Sequence, residues 1–532
     1  MHTVEIFELV IAMMLAIIAL HYAAHRLSLP PAAALLTGGI VLAFMPGLPV
    51  VELDPELVLV IFLPPLLMDG AWFTAVARFR QNLAGILSLA VGAVVFTTVA
   101  IAVVTHMLLP ALPWAACAAL GAIVSPPDAV SARAVLQRVR LPRRLVALLE
   151  GESLLNDATG LVLFRFAVAA AVTGSFSAGG AVMSFAMLAL GGTAVGGAIG
   201  AVWVLLIKRL QDDYLIIATS ILVCWTTYMA GEVLHVSGVI ATVTAGLICG
   251  WYQHVLFSAH VRLRANSFWA VLIFLLEALV FMLIGFSLRG VIARVGGFGV
   301  VIEQMAGPAA VIVLALIAVR FVWVFGSDAV LAVMKWAGLV RRKPLGPRAC
   351  VVMSWAGMRG VVTLAVALSL PETIPGRDFI LVTAFASILV TVLLQGMTLG
   401  MVVRRLNVLE HPGSGPKLGI SGAEAAIFGA QLKLVETIAH DADGTLIHPR
   451  LLGRYRQKVA VMERYADDVA QITEDLKAHF NVVVAAVGAG RAELVRLHRA
   501  GEIDDETLHE LERDLDLEEM AAISQMSQVD KV

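Results

Sequence analysis

The chain has 532 residues, 59% of them apolar and 15% charged, with a mean hydropathy of +0.88. A water-soluble chain carries roughly a quarter charged residues, so the composition excludes an ordinary soluble globule. The formal net charge of -2 averages a slightly basic first part and an acidic tail and says little by itself, and nothing in the sequence suggests nucleic acid.

The charges are segregated along the chain. Over residues 1–410 they sit mostly in short breaks between apolar runs, and over 411–532 they come every few positions. Runs of about 20 apolar residues are what cross the hydrocarbon of a bilayer. Residues 1–410 are therefore expected to form an all-α polytopic membrane domain, and 411–532 a small helical cytoplasmic domain. The start, "MHTVEIFELVIAMMLAIIAL", has Glu5 and Glu8 but no early Lys or Arg. A cleaved signal peptide needs a basic start, so this stretch is expected to be a retained first span.

About thirteen spans follow from the apolar runs. Their centres fall near Leu15, Ile40, Leu63, Val95, Ala122, Val162, Gly196, Val223, Ala245, Leu279, Leu316, Val362 and Leu389. Breaks after odd-numbered spans hold most of the basic residues. They include Arg26, Arg78 and Arg80, then Arg138, Arg140, Arg143 and Arg144, Lys208 and Arg209, Arg262 and Arg264. Lys335, Arg341, Arg342, Lys343, Arg348, Arg404 and Arg405 complete the set. Breaks after even-numbered spans hold Arg289, Arg294 and Arg377. Basic loops face the cytoplasm, which puts the N-terminus outside and the tail inside. The tail opens on the linker "HPGSGPKLGISG" and continues in segments of helical spacing, the last capped by Asp504 or Asp505. Cys117, Cys224, Cys249 and Cys350 lie in apolar runs without paired spacing, as small core residues do.

A charge at bilayer depth costs at least about 2.5–3.5 kcal/mol on insertion scales, and such residues usually face a cavity or a partner. The chain offers Asp69, Asp128, Glu152, Asp157, Arg165, Glu277, Arg320 and Arg359. "LLEGESLLNDATGLVLFRF" carries Glu152, Asn156, Asp157 and Arg165. Residues advance about 100° each along a helix, so with Ser153 at zero, Asn156 falls at roughly -60°, Asp157 at roughly +40° and Glu152 at roughly -100°. Ser153, Asn156 and Asp157 thus offer hydroxyl, amide and carboxylate oxygens on one face, suited to a proton or a hard monovalent cation. Glu152 points elsewhere, toward a structural partner.

Asp128 lies in "GAIVSPPDAV", where Pro126 and Pro127 break the span. Arg359 lies in the glycine-interrupted "SWAGMRGVVTLA". These are the fifth and twelfth spans. If the membrane domain is a six-plus-six inverted repeat around a seventh span, they correspond, and interrupted spans in corresponding positions point to a transporter's substrate site. Asp69 closes "FLPPLLMDGAW" and could also be interfacial. Glu277, within "FLLEALVFMLIG", is deep; pairing with an arginine such as Arg320 and a part in transport both stay open. Arg165 is expected to be a cavity or structural charge. His21, His25 and His106 lie near span ends, where interfacial placement is the simpler reading.

"GESLLND" in an apolar span, "SPPDAV" before it, "FLPPLLMD" upstream and "GMRG" downstream resemble the cation:proton antiporter type 1 family, the sodium/proton exchangers. The resemblance spans about residues 5–407, and the tail phrase "GEIDDETLHELERDLDLEE" is similar to that of bacterial members. It implies a thirteen-helix homodimer in the cell membrane, with broken, crossing helices 5 and 12, a mobile core and a dimerisation part. By the same resemblance Asp157, with Ser153, holds Na+ or the proton. The Pro127 backbone carbonyl adds an oxygen, and Asp128 lies beside the site. Asn156 is held by Asp69, Glu152 pairs with Arg359, and Glu277 matches a family acid. Pro127-Asp128-Ala129 departs from the Thr-Asp-Pro or Val-Asp-Pro of many members and removes a hydroxyl ligand.

The function implied is exchange of one monovalent cation, sodium first, for one proton, with membrane lipid and a second copy as partners. No cofactor, ATP site or nucleic acid is expected, nor enzyme chemistry. A K+/H+ antiporter, a transport-inactive sensor using the tail, and a cation channel are the competing readings.

Overall fold

The computed structural model describes residues 3–27, 29–46, 54–128, 141–174, 178–340, 342–408, 420–440, 443, 446–465 and 469–529. Arg138, Arg140, Arg341, Ala129 and the linker stretch 411–419 lie outside the described residues. The chain divides into two units, Met1–Glu410 and His411–Val532.

In the first unit, short polar residues set where several helices begin. Asp54 accepts hydrogen bonds from the backbone N–H of Glu56 and Leu57, Asp212 from Leu215, Ser237 from Ile240 and Ser258 from Val261. Each satisfies a donor that the first helical turn leaves open. The helices in chain order are α1 (Thr3–Arg26), α2 (Pro31–Ala43), α3 (Pro55–Trp72), α4 (Val76–Leu87), α5 (Val94–Leu108), α6 (Trp114–Val124) and α7 (Arg143–Thr173). Then come α8 (Ala178–Ile207), α9 (Asp213–Val233), α10 (Gly238–Leu256), α11 (Ala259–Val295), α12 (Ala306–Trp336), α13 (Pro347–Trp355), α14 (Val361–Leu368), α15 (Arg377–Val390) and α16 (Gly396–Leu406). Among the described residues, nine helices are long and apolar enough to cross a membrane, and Val10–Arg26, Pro31–Ala43 and Trp114–Val124 are shorter apolar helices. The chain is a multi-pass helical membrane protein.

These helices pack in two sets. α4–α7 associate with α12–α16, and α1–α3 with α8–α11. Within the second set, α2 and α11 approach at Gly39 and Gly285. A methyl on Gly39 would overlap the Met282 carbonyl, and one on Gly285 the Leu36 carbonyl, so backbone meets backbone. The sets meet where α3 touches α14, α7 touches α10 and α11 touches α15.

Two spans are interrupted. α6 stops at Val124, before Ser125, Pro126 and Pro127. α13 ends at Trp355 and α14 begins only at Val361. The Asp128 N–H donates to the Met358 carbonyl at 2.6 Å, so the two breaks touch. A π-helical turn, Thr391–Gln395, joins α15 to α16 and brings the Thr391 hydroxyl to the Arg359 N–H at 3.0 Å.

The second unit holds α17 (Ile420–Ile438), α18 (Pro449–Tyr465), α19 (Val469–Arg499) and α20 (Asp505–Val529). Asp504 caps α20 through the Thr507 N–H at 2.8 Å. Arg491 on α19 reaches both Asp516 and Glu519 on α20 at 2.6 Å.

Candidate functional site

α7 starts after Pro142 and runs unbroken to Gly174, whose left-handed backbone ends it. Its length carries two kinds of charge past the broken helices. On one side Glu152, 1% exposed, accepts two hydrogen bonds from Arg320 of α12, at 2.7 and 2.9 Å. Arg320 is itself 4% exposed, and its Nε and Nη2 also donate to the Met353 carbonyl. This two-pronged pairing satisfies the carboxylate geometrically as well as electrostatically.

On the other side Ser153 and Asp157 line a cavity of about 50 Å³. A single water needs only about 10–15 Å³ on this measure, so the hollow has room for a few waters or one partly hydrated ion. Asp128, from the first break, Gly360, from the second, and Thr363 of α14 also border it, as do Leu63, Leu67 and Gly70 of α3. Gly360 has a steric reason to be glycine: a methyl there would overlap the Asp128 carboxylate. The polar walls are carboxylates and hydroxyls, the oxygen donors that suit hard cations.

Arg359 ties the crossing together. Its guanidinium donates to the carbonyls of Val124 at 2.8 Å, Ser125 at 3.4 Å and Gly357. Val124 and Ser125 end α6, and Gly357 follows the end of α13. Helix C-termini carry unsatisfied carbonyls and partial negative charge. The one buried guanidinium answers both helix ends.

Three expectations from the sequence need correction. Glu152 pairs with Arg320 and not with Arg359, because Arg359 is spent on backbone carbonyls of the breaks. Arg320 is thereby taken from Glu277, which lies half-buried on α11. Asn156 donates to the Pro127 carbonyl at 2.5 Å and is not held by Asp69. That carbonyl, expected to face an ion, therefore accepts an amide, while the buried Asn156 Oδ1 has no hydrogen-bond partner. Asp69 is half-buried near the end of α3, beside the cavity-lining Gly70. Arg165 pairs with Glu232 of α9 at 3.0 Å, both substantially exposed.

Two residues of the cavity wall escaped the sequence argument. Glu150 lies at roughly +60° on the same helical count, within about 20° of Asp157. The periodicity alone contained that signal. Thr363 brings a hydroxyl to the same wall from α14; nothing in the sequence marks that position.

The family model described as sodium/hydrogen exchanger, transmembrane, matches residues 10–405. The chain belongs to the sodium/hydrogen exchanger family. Among relatives of this exchanger, the uncharacterised Na(+)/H(+) exchanger YjcE of Escherichia coli is 31% identical over 507 residues, covering 89% of this chain and 91% of the relative. The sodium, potassium, lithium and rubidium/H(+) antiporter of Bacillus subtilis is 36% identical over 367 residues, covering 65% and 54%. In fold, the exchanger is similar to the sodium proton antiporter MjNhaP1 of Methanocaldococcus jannaschii, with a TM-score of 0.59 at 20% identity over 76% of this chain and 99% of that one.

Proposed function

We propose that this exchanger moves one monovalent cation, sodium first, against one proton by alternating access around Asp157. The observation that carries the reading is the contrast on α7. Glu152 is consumed by Arg320, whereas Asp157 lines a cavity with Ser153. A carboxylate drawn out of water favours a neutralised state over a bare charge. A proton and a monovalent cation neutralise it equally well, and each excludes the other. The two loaded forms then carry the same net charge, so a one-for-one cycle is driven by ion gradients and not by voltage.

Ser153 and Asp128, which line the same cavity, are the further oxygens offered to the ion, with Arg359 holding the two breaks in register; Asn156 does not line that cavity and instead donates to the Pro127 carbonyl. The cation is cargo. The cycle calls for no cofactor, ATP or enzymatic step. The distribution of Lys and Arg supports an outside N-terminus and a cytoplasmic tail, and the family resemblance supports a homodimer in the plasma membrane. Potassium is the second candidate cargo, supported by the breadth in the name of the Bacillus subtilis relative. Dye-monitored exchange in proteoliposomes, with sodium, potassium and lithium in turn and with or without residues 412–532, tests the reading. Ion flux that follows voltage and ignores the proton gradient would replace the exchanger with a channel. An inert wild-type protein would favour a sensor.

A further inference from the structure

A second and larger hollow, of about 650 Å³, lies between α4–α5 and α12 and shares no lining residue with the one beside Asp157. Two stripes wall it. Asn82, Ser88 and Phe96 mark one, across the π-helical turn Ser88–Ala93 that joins α4 to α5. Val322, Val330 and Met334 mark the other, on α12. Twelve residues at about 1.5 Å each carry the α12 stripe over roughly 18 Å, close to one leaflet's half of a hydrocarbon core about 30 Å thick. Phe96, Val322, Val330 and Met334 are exposed and lie within spans, so the hollow is open along a flank that a bilayer covers. Trp323 bridges the stripes at the end away from Met334. Its ring packs on Phe96 at 5.3 Å between centroids, and its Nε1 donates to the Ser88 carbonyl at 3.1 Å.

Charge gathers toward the Met334 end. Arg144, at the start of α7, and Arg342, in the segment between α12 and α13, border the hollow. Asp328 is the one carboxylate on the wall among the described residues, and its two oxygens accept the backbone N–H of Leu345 at 2.6 Å and of Gly346 at 3.1 Å. Arg144 donates to the Lys343 carbonyl at 2.6 Å. The segment that carries Arg342 is thus pinned to both α7 and α12, and the basic end is preorganised. Two guanidiniums against one carboxylate leave it net positive.

An apolar slot about one leaflet deep, open sideways and basic at one end, has the polarity of a phospholipid. Guanidinium forks match phosphate oxygens, and basic pockets between membrane helices take anionic headgroups. We propose that this groove binds one anionic phospholipid, with its phosphate at Arg144 and Arg342 and an acyl chain laid between α4–α5 and α12. A zwitterionic lipid fits less well, because it brings its own ammonium to the same two arginines. The bound lipid bridges α4, α7 and α12 and stabilises the set of helices they belong to. This site stands apart from the exchange reading and does not depend on Asp157.

The test titrates the purified full-length chain in detergent with phosphatidylglycerol, phosphatidylcholine or inorganic phosphate. Native mass spectrometry reads lipid bound per chain, and a thermal melt reads stabilisation. The first phosphatidylglycerol should bind at least about fivefold more tightly than phosphatidylcholine and raise Tm. Arg342→Gln, at an exposed position outside any helix, should weaken phosphatidylglycerol about three- to tenfold and leave phosphatidylcholine unchanged. Gly326 lines the groove, and a methyl there would meet nothing within 4 Å, so larger side chains have room to enter. Gly326→Leu and Gly326→Trp should therefore lower phosphatidylglycerol binding progressively with both arginines in place. These variants should keep the lipid-free melt of wild type, which separates lost binding from lost fold. Equal binding of the two lipids overturns the site, as does unchanged phosphatidylglycerol binding in Arg342→Gln or in both Gly326 variants. Inorganic phosphate that raises Tm as far as phosphatidylglycerol assigns the basic end to the free anion and overturns the lipid as well.

Discussion

The two sides of Arg143–Thr173 dispose of charge in opposite ways. Glu152 has both oxygens occupied by Arg320, and neither partner touches water to any extent. Asp157, a little over one turn further on, borders a small hollow shared with Ser153 and Asp128. The first arrangement gives a carboxylate a built-in guanidinium partner and locks α7 to α12. The second leaves a carboxylate beside a hollow, where the proposed exchange would take place. A membrane-embedded acid is therefore not by itself a sign of transport. What matters is whether its partner is built into the chain or must arrive from solution.

Substitutions on each side should separate the two roles. The largest effect is expected from Asp157→Asn, which should reduce cation-dependent proton flux in proteoliposomes to that of empty vesicles while the purified protein keeps its thermal melt. Retained flux would remove the distinction between the two sides. Glu152→Gln should do the reverse, lowering stability by about 3–5 kcal/mol because it leaves Arg320 buried and uncompensated. Its melting temperature in detergent should fall, and Glu152→Gln combined with Arg320→Met should recover most of the loss. Absence of that recovery would argue against the pair.

Arg359→Lys keeps the charge but loses the fork that reaches three carbonyls. Each lost charged hydrogen bond is worth about 1.5–3 kcal/mol, and the crossing should loosen accordingly. Thermal melts and exchange rates should both drop, which distinguishes Arg359 from Glu152 and Asp157 alike. Arg165→Gln should change stability by no more than about 0–1 kcal/mol, since Arg165 and Glu232 are half and one-third exposed, respectively. That contrast with Glu152→Gln isolates burial as the cause.

The smallest effect lies in the tail. The hydrogen bond from Thr507 holds Asp504 below the usual carboxylate range. A group whose folded value is depressed stabilises above its unfolded value and loses that contribution as pH falls through the folded one. Asp504→Ala should therefore speed hydrogen exchange at the start of α20 near neutral pH, and the difference from wild type should vanish in strong acid.

Much of this was legible in one dimension. Apolar run length marks helices that can cross a bilayer, because hydrocarbon cannot satisfy backbone polar groups left outside a helix. Pro126 and Pro127 announce the first break, and the glycines around Arg359 the second. Periodicity puts Ser153 and Asp157 on one arc and turns Glu152 away from it. The same arithmetic reaches Glu150.

Partners across space were not legible. Glu152 had Arg320 and Arg359 available as buried arginines, and sequence spacing has no means of choosing between residues 168 and 207 positions away. The choice followed from the half-helix ends. Their free carbonyls drew in Arg359, which left Arg320 for the carboxylate. Asn156 likewise found the Pro127 carbonyl because the broken helix delivered it there. Composition, periodicity and chain breaks thus determined which residues would lie deep in the membrane and which side of a helix they share. Only the tertiary structure decided which charges neutralise one another and which face a hollow, because that depends on where freed backbone groups end up in three dimensions.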